Sequence, residues 1–191
     1  MKTIKTLLIL CIAFGVASCS KEKDVTVPAL PQQIIPNHDF ESWTDQLPVS
    51  WQTNSCPACV PPFETYIVQQ DTDAYQGQFA AKFIYNNVYA AWAENTFSVT
   101  GHPAHLTAYV KSNLAANDSV LIRIKLFNNN TEVDSGEWHG TASIANYTQI
   151  VIPISQNATQ ADMAKIYIEG GNVNAAPGNN TELWVDQLEL E

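Results

Sequence analysis

Hydrophobic side chains recur at every second position over much of the chain. Leu106, Ala108 and Val110 alternate with Thr107, Tyr109 and Lys111. Val120, Ile122, Ile124 and Leu126 alternate with Leu121, Arg123, Lys125 and Phe127. The same rhythm runs through Ile150, Ile152 and Ile154, and through Ala164, Ile166 and Ile168, the latter alternating with Lys165, Tyr167 and Glu169. Successive side chains of a strand point to opposite faces, so this period marks strands with one face on a core. It predicts strands near 39–43, 63–70, 78–85, 89–98, 105–112, 118–128, 131–138, 147–154, 164–169 and 182–190. Turn-forming residues punctuate them: Asn128-Asn129-Asn130, Gly170-Gly171-Asn172 and Pro177-Gly178-Asn179-Asn180. No long segment has a period of 3.6, and the one helix candidate is a short turn near Gln156–Met163. Many short strands at this spacing predict an all-β, antiparallel sandwich or jelly roll over residues 37–191.

The last strand breaks phase. Leu183 and Val185 share a face, but the apolar series resumes at Leu188 and Leu190, one step out. A bulge at Asp186-Gln187 would account for the slip and re-aim the aspartate.

The first residues carry a different pattern. Lys2 and Lys5 precede an uncharged, mostly apolar run from Leu7 to Ala17, too short for the ~20 residues of a spanning helix. It fits a secretory leader. The run ends Val16-Ala17-Ser18-Cys19, which resembles a bacterial lipobox. Residues 1–18 then form a lipoprotein signal peptide, with Cys19 the lipidated residue, and the mature chain is anchored to a membrane without spanning it. Residues 19–36 are polar and then proline-punctuated, as in a flexible tether. Their Ser20-Lys21-Glu22-Lys23-Asp24 cluster resembles surface-export signals of Bacteroidetes lipoproteins and reads equally as a solvated linker.

Charge narrows the partners. The 191 residues carry 19 acidic and 9 basic side chains, a net charge of −10. Removal of the leader takes Lys2 and Lys5 with it and leaves the mature chain more acidic still. Nucleic-acid phosphates demand a cationic footprint, so nucleic acid is excluded as a partner.

The domain opens Asn37-His38-Asp39-Phe40-Glu41-Ser42-Trp43, then Leu47-Pro48-Val49-Ser50-Trp51, and closes Leu183-Trp184-Val185-Asp186-Gln187-Leu188-Glu189-Leu190. Tyr75-Gln76-Gly77, Leu106–Ser112, Asn117–Val120 and Tyr147–Ile154 lie between. This order resembles the galactose-binding-like jelly-roll modules of Bacteroidetes glycan-handling proteins, and especially the carbohydrate metabolism domain of gut Bacteroidetes lipoproteins. His38 stands where that pattern usually has glycine. The resemblance implies two antiparallel sheets with the opening and closing strands adjacent. It also implies a structural calcium ion on Glu41 and Asp186, with Asp71 or Asp73 and backbone carbonyls completing the six to eight oxygens that calcium needs. Trp43 and Trp51 match packing positions of the opening motif.

Sugar sites combine an aromatic platform with polar groups that hold hydroxyls. Alternation places Trp92 and Glu94 on the face opposite Ala91, Ala93 and Phe97, and counts Asp134 and Trp138 outward opposite Val133. Trp92, Trp138, Glu94 and Asp134 are therefore the expected sugar contacts. The opposing reading is that both indoles cover a sheet.

Cys56-Pro57-Ala58-Cys59 remains. A C-x-x-C allows redox chemistry, metal ligation or a disulfide. Val60-Pro61-Pro62 discourages the helix that a redox pair uses, and no second C-x-x-C completes a zinc site, so a local disulfide is expected in an exported chain. His102-Pro103-Ala104-His105 reads as a surface loop. No H-E-x-x-H, G-x-S-x-G or phosphate-binding glycine loop occurs. Glu94, Asp134 and Glu137 could pair as glycosidase carboxylates, a weak signal in so acidic a chain. The expected function is non-catalytic glycan capture by a lipoprotein of the outer membrane, with protein partners in a glycan-uptake complex. A glycan-active enzyme, a structural or adhesion lipoprotein and a metal-binding lipoprotein are the alternatives.

Overall fold

The computed structural model describes residues 34–59, 67–85, 90–157, 159–171 and 181–191. The expected leader, Cys19, most of the tether and the turn at 177–180 lie outside the described residues. Along the chain run β1 (Trp43–Thr44), β2 (Leu47–Pro48), β3 (Gln52–Thr53), β4 (Val68–Asp71), β5 (Ala80–Tyr85) and β6 (Ala91–Gly101). These are followed by β7 (His105–Asn113), β8 (Val120–Asn128), β9 (Thr131–Gly140), β10 (Ile144–Pro153), β11 (Ala161–Gly170) and β12 (Thr181–Leu190).

Two five-stranded sheets result, ordered β10-β7-β12-β5-β4 and β3-β6-β11-β8-β9, beside a small β1-β2 hairpin. Every neighbouring pair is antiparallel. The chain is thus the all-β sandwich that its period of two predicts. Ile122, Ile124, Leu126, Ile166 and Ile168 of one sheet and Phe83, Leu106, Leu183, Val185 and Leu188 of the other are fully buried in a common core.

The sheets approach closely where β11 ends. A Cβ at Gly170 would run into the Cβ of Phe83, and one at Gly171 would meet Tyr85. Gly171 also has φ 115°, a conformation that side chains rarely adopt.

Two expected elements differ. Residues 36–39 form a turn, 40–42 are irregular, and only Trp43 of the expected strand belongs to the two-residue β1. Asn37 and Phe40 have positive φ, and Asp45 and Gln46, both positive, make the tight turn between β1 and β2. Consecutive left-handed residues cannot continue a strand. The helix candidate near 156–163 is not helical at its described residues: 154–157 are irregular and β11 begins at Ala161.

The phase break in β12 is a bulge. Its register against β7 shifts between Asp186 and Glu189, and Gln187 has φ 48°. The displaced backbone meets the opening segment, with the Leu188 N–H donating to the His38 carbonyl at 3.0 Å. Phe40, also fully buried, packs beside Trp51 with ring centroids 5.0 Å apart. The opening and closing segments are therefore bonded to each other.

Gly170→Ala is expected to destabilise the fold by about 1–3 kcal/mol, because overpacking forces strain into the contact between sheets. Urea denaturation measures it; an unchanged midpoint would mean that the sheets separate freely there.

Candidate functional site

The outer face of the β3-β6-β11-β8-β9 sheet follows from its register. Burying Ala91, Ala93, Ile166, Ile168, Ile122 and Ile124 turns their neighbours outward. One row across the sheet reads Trp92, Glu169, Leu121, His139. The next reads Gln52, Glu94, Tyr167, Arg123, Glu137. A third reads Thr96, Lys165, Lys125, Ser135.

The middle of these rows floors a groove of about 530 Å³, lined by residues that include Glu94, Arg123, Lys125, Lys165, Tyr167 and Glu169, with Trp92 outside the lining and in contact with it through Tyr167. That volume suits a small ligand. Trp92 stacks against Tyr167 with centroids 6.2 Å apart and planes 27° apart, forming an aromatic step. The Asn54 side chain fixes the start of β6: it accepts from the Trp92 N–H at 2.9 Å and donates to the Ala90 carbonyl at 2.8 Å. The indole therefore stands on a tethered backbone.

Polar groups surround the step. Glu94 pairs with Lys165 at 2.9 Å, Lys125 with Glu132 at 2.7 Å and Arg123 with Glu137 at 3.0 Å. The Tyr167 hydroxyl donates to Glu169 at 3.2 Å. Partial burial, reinforced by the Glu169 charge, pushes the Tyr167 phenol up to about 12, so it remains a donor at neutral pH. His139 and Arg123 hold the exposed Glu137 carboxyl below its ordinary value.

The structure brings Trp92 and Glu94 together, as alternation implies. Trp138 and Asp134 face the opposite way, which corrects the expected register. Trp138 lies opposite Ile122 and packs against the core and over Gly140. Asp134 is buried opposite Leu126, where its Oδ1 accepts from the Asn157 amide at 2.7 Å and the Ser155 hydroxyl at 3.1 Å. The reason is a register shift between Leu126 and Phe127, which inserts Val133 as an extra residue and inverts the phase of β9. Tyr167 takes the place that Trp138 was expected to fill. Its strand was legible, but its position opposite Arg123 depends on pairing between strands.

The outer face of the other sheet is also aromatic, but its groups are committed to one another. Tyr75 stacks on Tyr109 at 3.5 Å. Trp184 is buried between Lys82 and Lys111, whose ammonium groups lie 4.6 and 4.1 Å from its ring, and its N–H donates to Asp71 at 3.1 Å.

Glu41 and Asp186 converge on the loop between β4 and β5. Asp186 is fully buried; its Oδ2 accepts from the N–H groups of Tyr75 and Gln76 at 2.9 and 3.0 Å, and its Oδ1 from Gln187 at 2.8 Å. Glu41 Oε1 accepts from Gln78 and Phe79 at 2.7 and 3.0 Å. Gly77 lies under this carboxylate, and a Cβ there would strike Glu41. Asp71 is engaged by Trp184, and Asp73 pairs with Lys111. Among the described residues, no group of three or more His, Cys, Asp or Glu side chains is arranged to hold a metal ion. These four carboxylates, spent on N–H groups and lysines, do not fit a calcium shell as arranged. They form a clamp that holds the loop directly.

Cys56 and Cys59 are joined in a disulfide. His105 lies 3.1 Å from the Glu191 carboxylate, and His102 is exposed.

No family model matches the chain, and no curated protein does. Solved structures share its fold. TmCBM61, solved with β-1,4-galactotriose, superposes with a TM-score of 0.53 at 10% identity, over 82% of this chain and 96% of its own. A structure of carbohydrate-binding modules from the β-sandwich superfamily gives 0.54 at 13% identity, over 81% and 60%. A protein provisionally assigned as a glycoside hydrolase, from Bacteroides thetaiotaomicron, gives 0.52 at 8% identity; the match takes in 69% of this chain but spans only 59% of that one. The chain therefore has the jelly-roll β-sandwich fold of carbohydrate-binding modules.

The clamp can be tested by titration. Burial pushes the Asp186 carboxyl above the ordinary carboxylate range against the pull of its N–H donors, and Glu41 adds to the rise. A raised carboxyl supports the fold below its unfolded value and loses that contribution as pH climbs through its folded value. Asp186→Asn is expected to cost about 2 kcal/mol, with a wider gap from wild type near pH ~4 than at neutrality. Denaturation at both pH values checks the sign. Millimolar calcium is expected to leave Tm in place; a rise in Tm that Asp186→Asn abolishes would restore the ion.

Proposed function

We propose that the chain is an exported, lipid-anchored glycan-binding module, with Cys19 carrying the lipid and the groove beside Trp92 and Tyr167 taking the sugar. One observation carries the sugar proposal: an aromatic step, rimmed by ion-paired side chains, on the outer face of a sandwich whose fold is that of carbohydrate-binding modules. The apolar face of a pyranose stacks on the indole and phenol, while Glu94, Lys165, Glu169 and Arg123 bond its hydroxyls. Such a module needs no catalytic group: it holds a glycan at the outer membrane for other components of a glycan-uptake complex.

A broad glycan array, followed by calorimetry on the whole chain, tests the sugar site. Trp92→Ala and Tyr167→Ala are each expected to weaken binding about tenfold, the value of one good aromatic contact. Trp138→Ala is expected to lower stability instead, by about 3–5 kcal/mol if its ring behaves as core. Silence across the array, or wild-type affinity in both Trp92→Ala and Tyr167→Ala, would end the proposal.

The anchor has its own test. Metabolic labelling with an alkyne fatty acid in a bacterial host is expected to mark the wild-type chain and not Cys19→Ala. Equal labelling of the two would remove Cys19 as the lipid site.

A further inference from the structure

The cations of this acidic chain are unevenly placed. Among the described residues the basic side chains other than histidine are Lys82, Lys111, Arg123, Lys125 and Lys165, and the last three line the groove. Lys82 and Lys111 are spent on the Trp184 ring of the other sheet.

Within the groove, Lys165 of β11 stands directly opposite Lys125 of β8. Like charges in such a cross-strand pair oppose the sheet. The residues that flank this pair across the sheet are Thr96 and Ser135, so no carboxylate lies in the lysine row. Their ion partners come from different rows: Glu94 beside Tyr167, and Glu132 opposite Phe127. The two ammonium groups are thus drawn toward opposite sides of their own row. Arg123 lies two residues along β8 from Lys125, about 6.6 Å on the same face, and directly opposite Tyr167. Three cations therefore border the aromatic step. Their ion pairs are partly exposed, and pairs of that kind are weak enough for an incoming anion to exchange with them.

We infer that the groove selects acidic glycans, with Lys125, Lys165 and Arg123 receiving the carboxylate of a uronic acid whose ring lies on Trp92 and Tyr167. This rests on the glycan-binding reading and specifies its ligand class. The spacing suits it: a pyranose ring over Tyr167 reaches the lysine row with its exocyclic carboxylate, one pair of residues along the strand. The planar guanidinium of Arg123 offers paired N–H groups that match a carboxylate. A neutral sugar would leave the opposed lysines with only Glu94 and Glu132, drawn from neighbouring rows, to offset them.

Calorimetry on the whole chain with oligogalacturonate and oligomannuronate, their methyl esters, and neutral galactan and mannan oligosaccharides tests the inference. At least one acidic oligosaccharide is expected to bind ten times more tightly than its methyl ester. In Lys125→Gln/Lys165→Gln, with Tm unchanged, that ratio is expected to collapse to about one. Arg123→Gln is expected to reduce it severalfold. If neutral oligosaccharides bind and no acid exceeds its ester, the acidic selectivity is overturned while glycan binding stands. An acid-to-ester ratio kept intact in the double lysine variant overturns the assignment of the carboxylate to these residues. If none of these oligosaccharides binds and a broad array is also silent, the glycan reading itself fails.

Discussion

Burial of one face of the β3-β6-β11-β8-β9 sheet is the constraint from which the candidate site follows. A strand has only two faces, so placing Ala91, Ala93, Ile122, Ile124, Ile166 and Ile168 on the core leaves Trp92, Glu94, Arg123, Lys125, Lys165 and Tyr167 no place but the outer surface. The groove is the reverse side of the core. A single-residue slip in any of the three central strands would bury charge and expose isoleucine, which makes the register, and with it the arrangement of the groove, expensive to disturb.

The opposite sheet closes the molecule. The bulge in β12 does two things at once: it turns the Leu188 N–H toward the His38 carbonyl, and it leaves Asp186 buried with three backbone N–H donors. Glu41, from the opening segment, holds the N–H groups of Gln78 and Phe79 at the end of the same loop. Two carboxylates from the two ends of the domain thus bind one loop through main-chain hydrogen bonds. Charge-assisted bonds to backbone are among the stronger polar contacts, so this junction ties the two ends to one loop.

The fold was legible because alternation is uninterrupted in β8 and from Ala164 to Ile168 of β11, and the bulge in β12 showed as a slip in the apolar series itself. The face of Trp92 and Glu94 was legible for the same reason. The face of Trp138 and Asp134 was not. In β9 the only strong apolar anchor before the tryptophan is Val133, and Val133 is the extra residue of the bulge, so counting outward from it assigns every later residue to the wrong side. Glu41 and Asp186 were picked out as a pair, but the N–H groups they accept were not legible, because those donors belong to a loop that only the fold brings to them.

Local order along the chain determined most of the strands and, outside β9, their inward faces, because side-chain period and turn chemistry act over a few residues. Only the tertiary structure decided which outward residues meet. Lys125 opposes Lys165, and Tyr167 opposes Arg123, across a pairing of strands some forty residues apart in the chain. That pairing is set by how two whole sheets fit over one core, a property of no single segment.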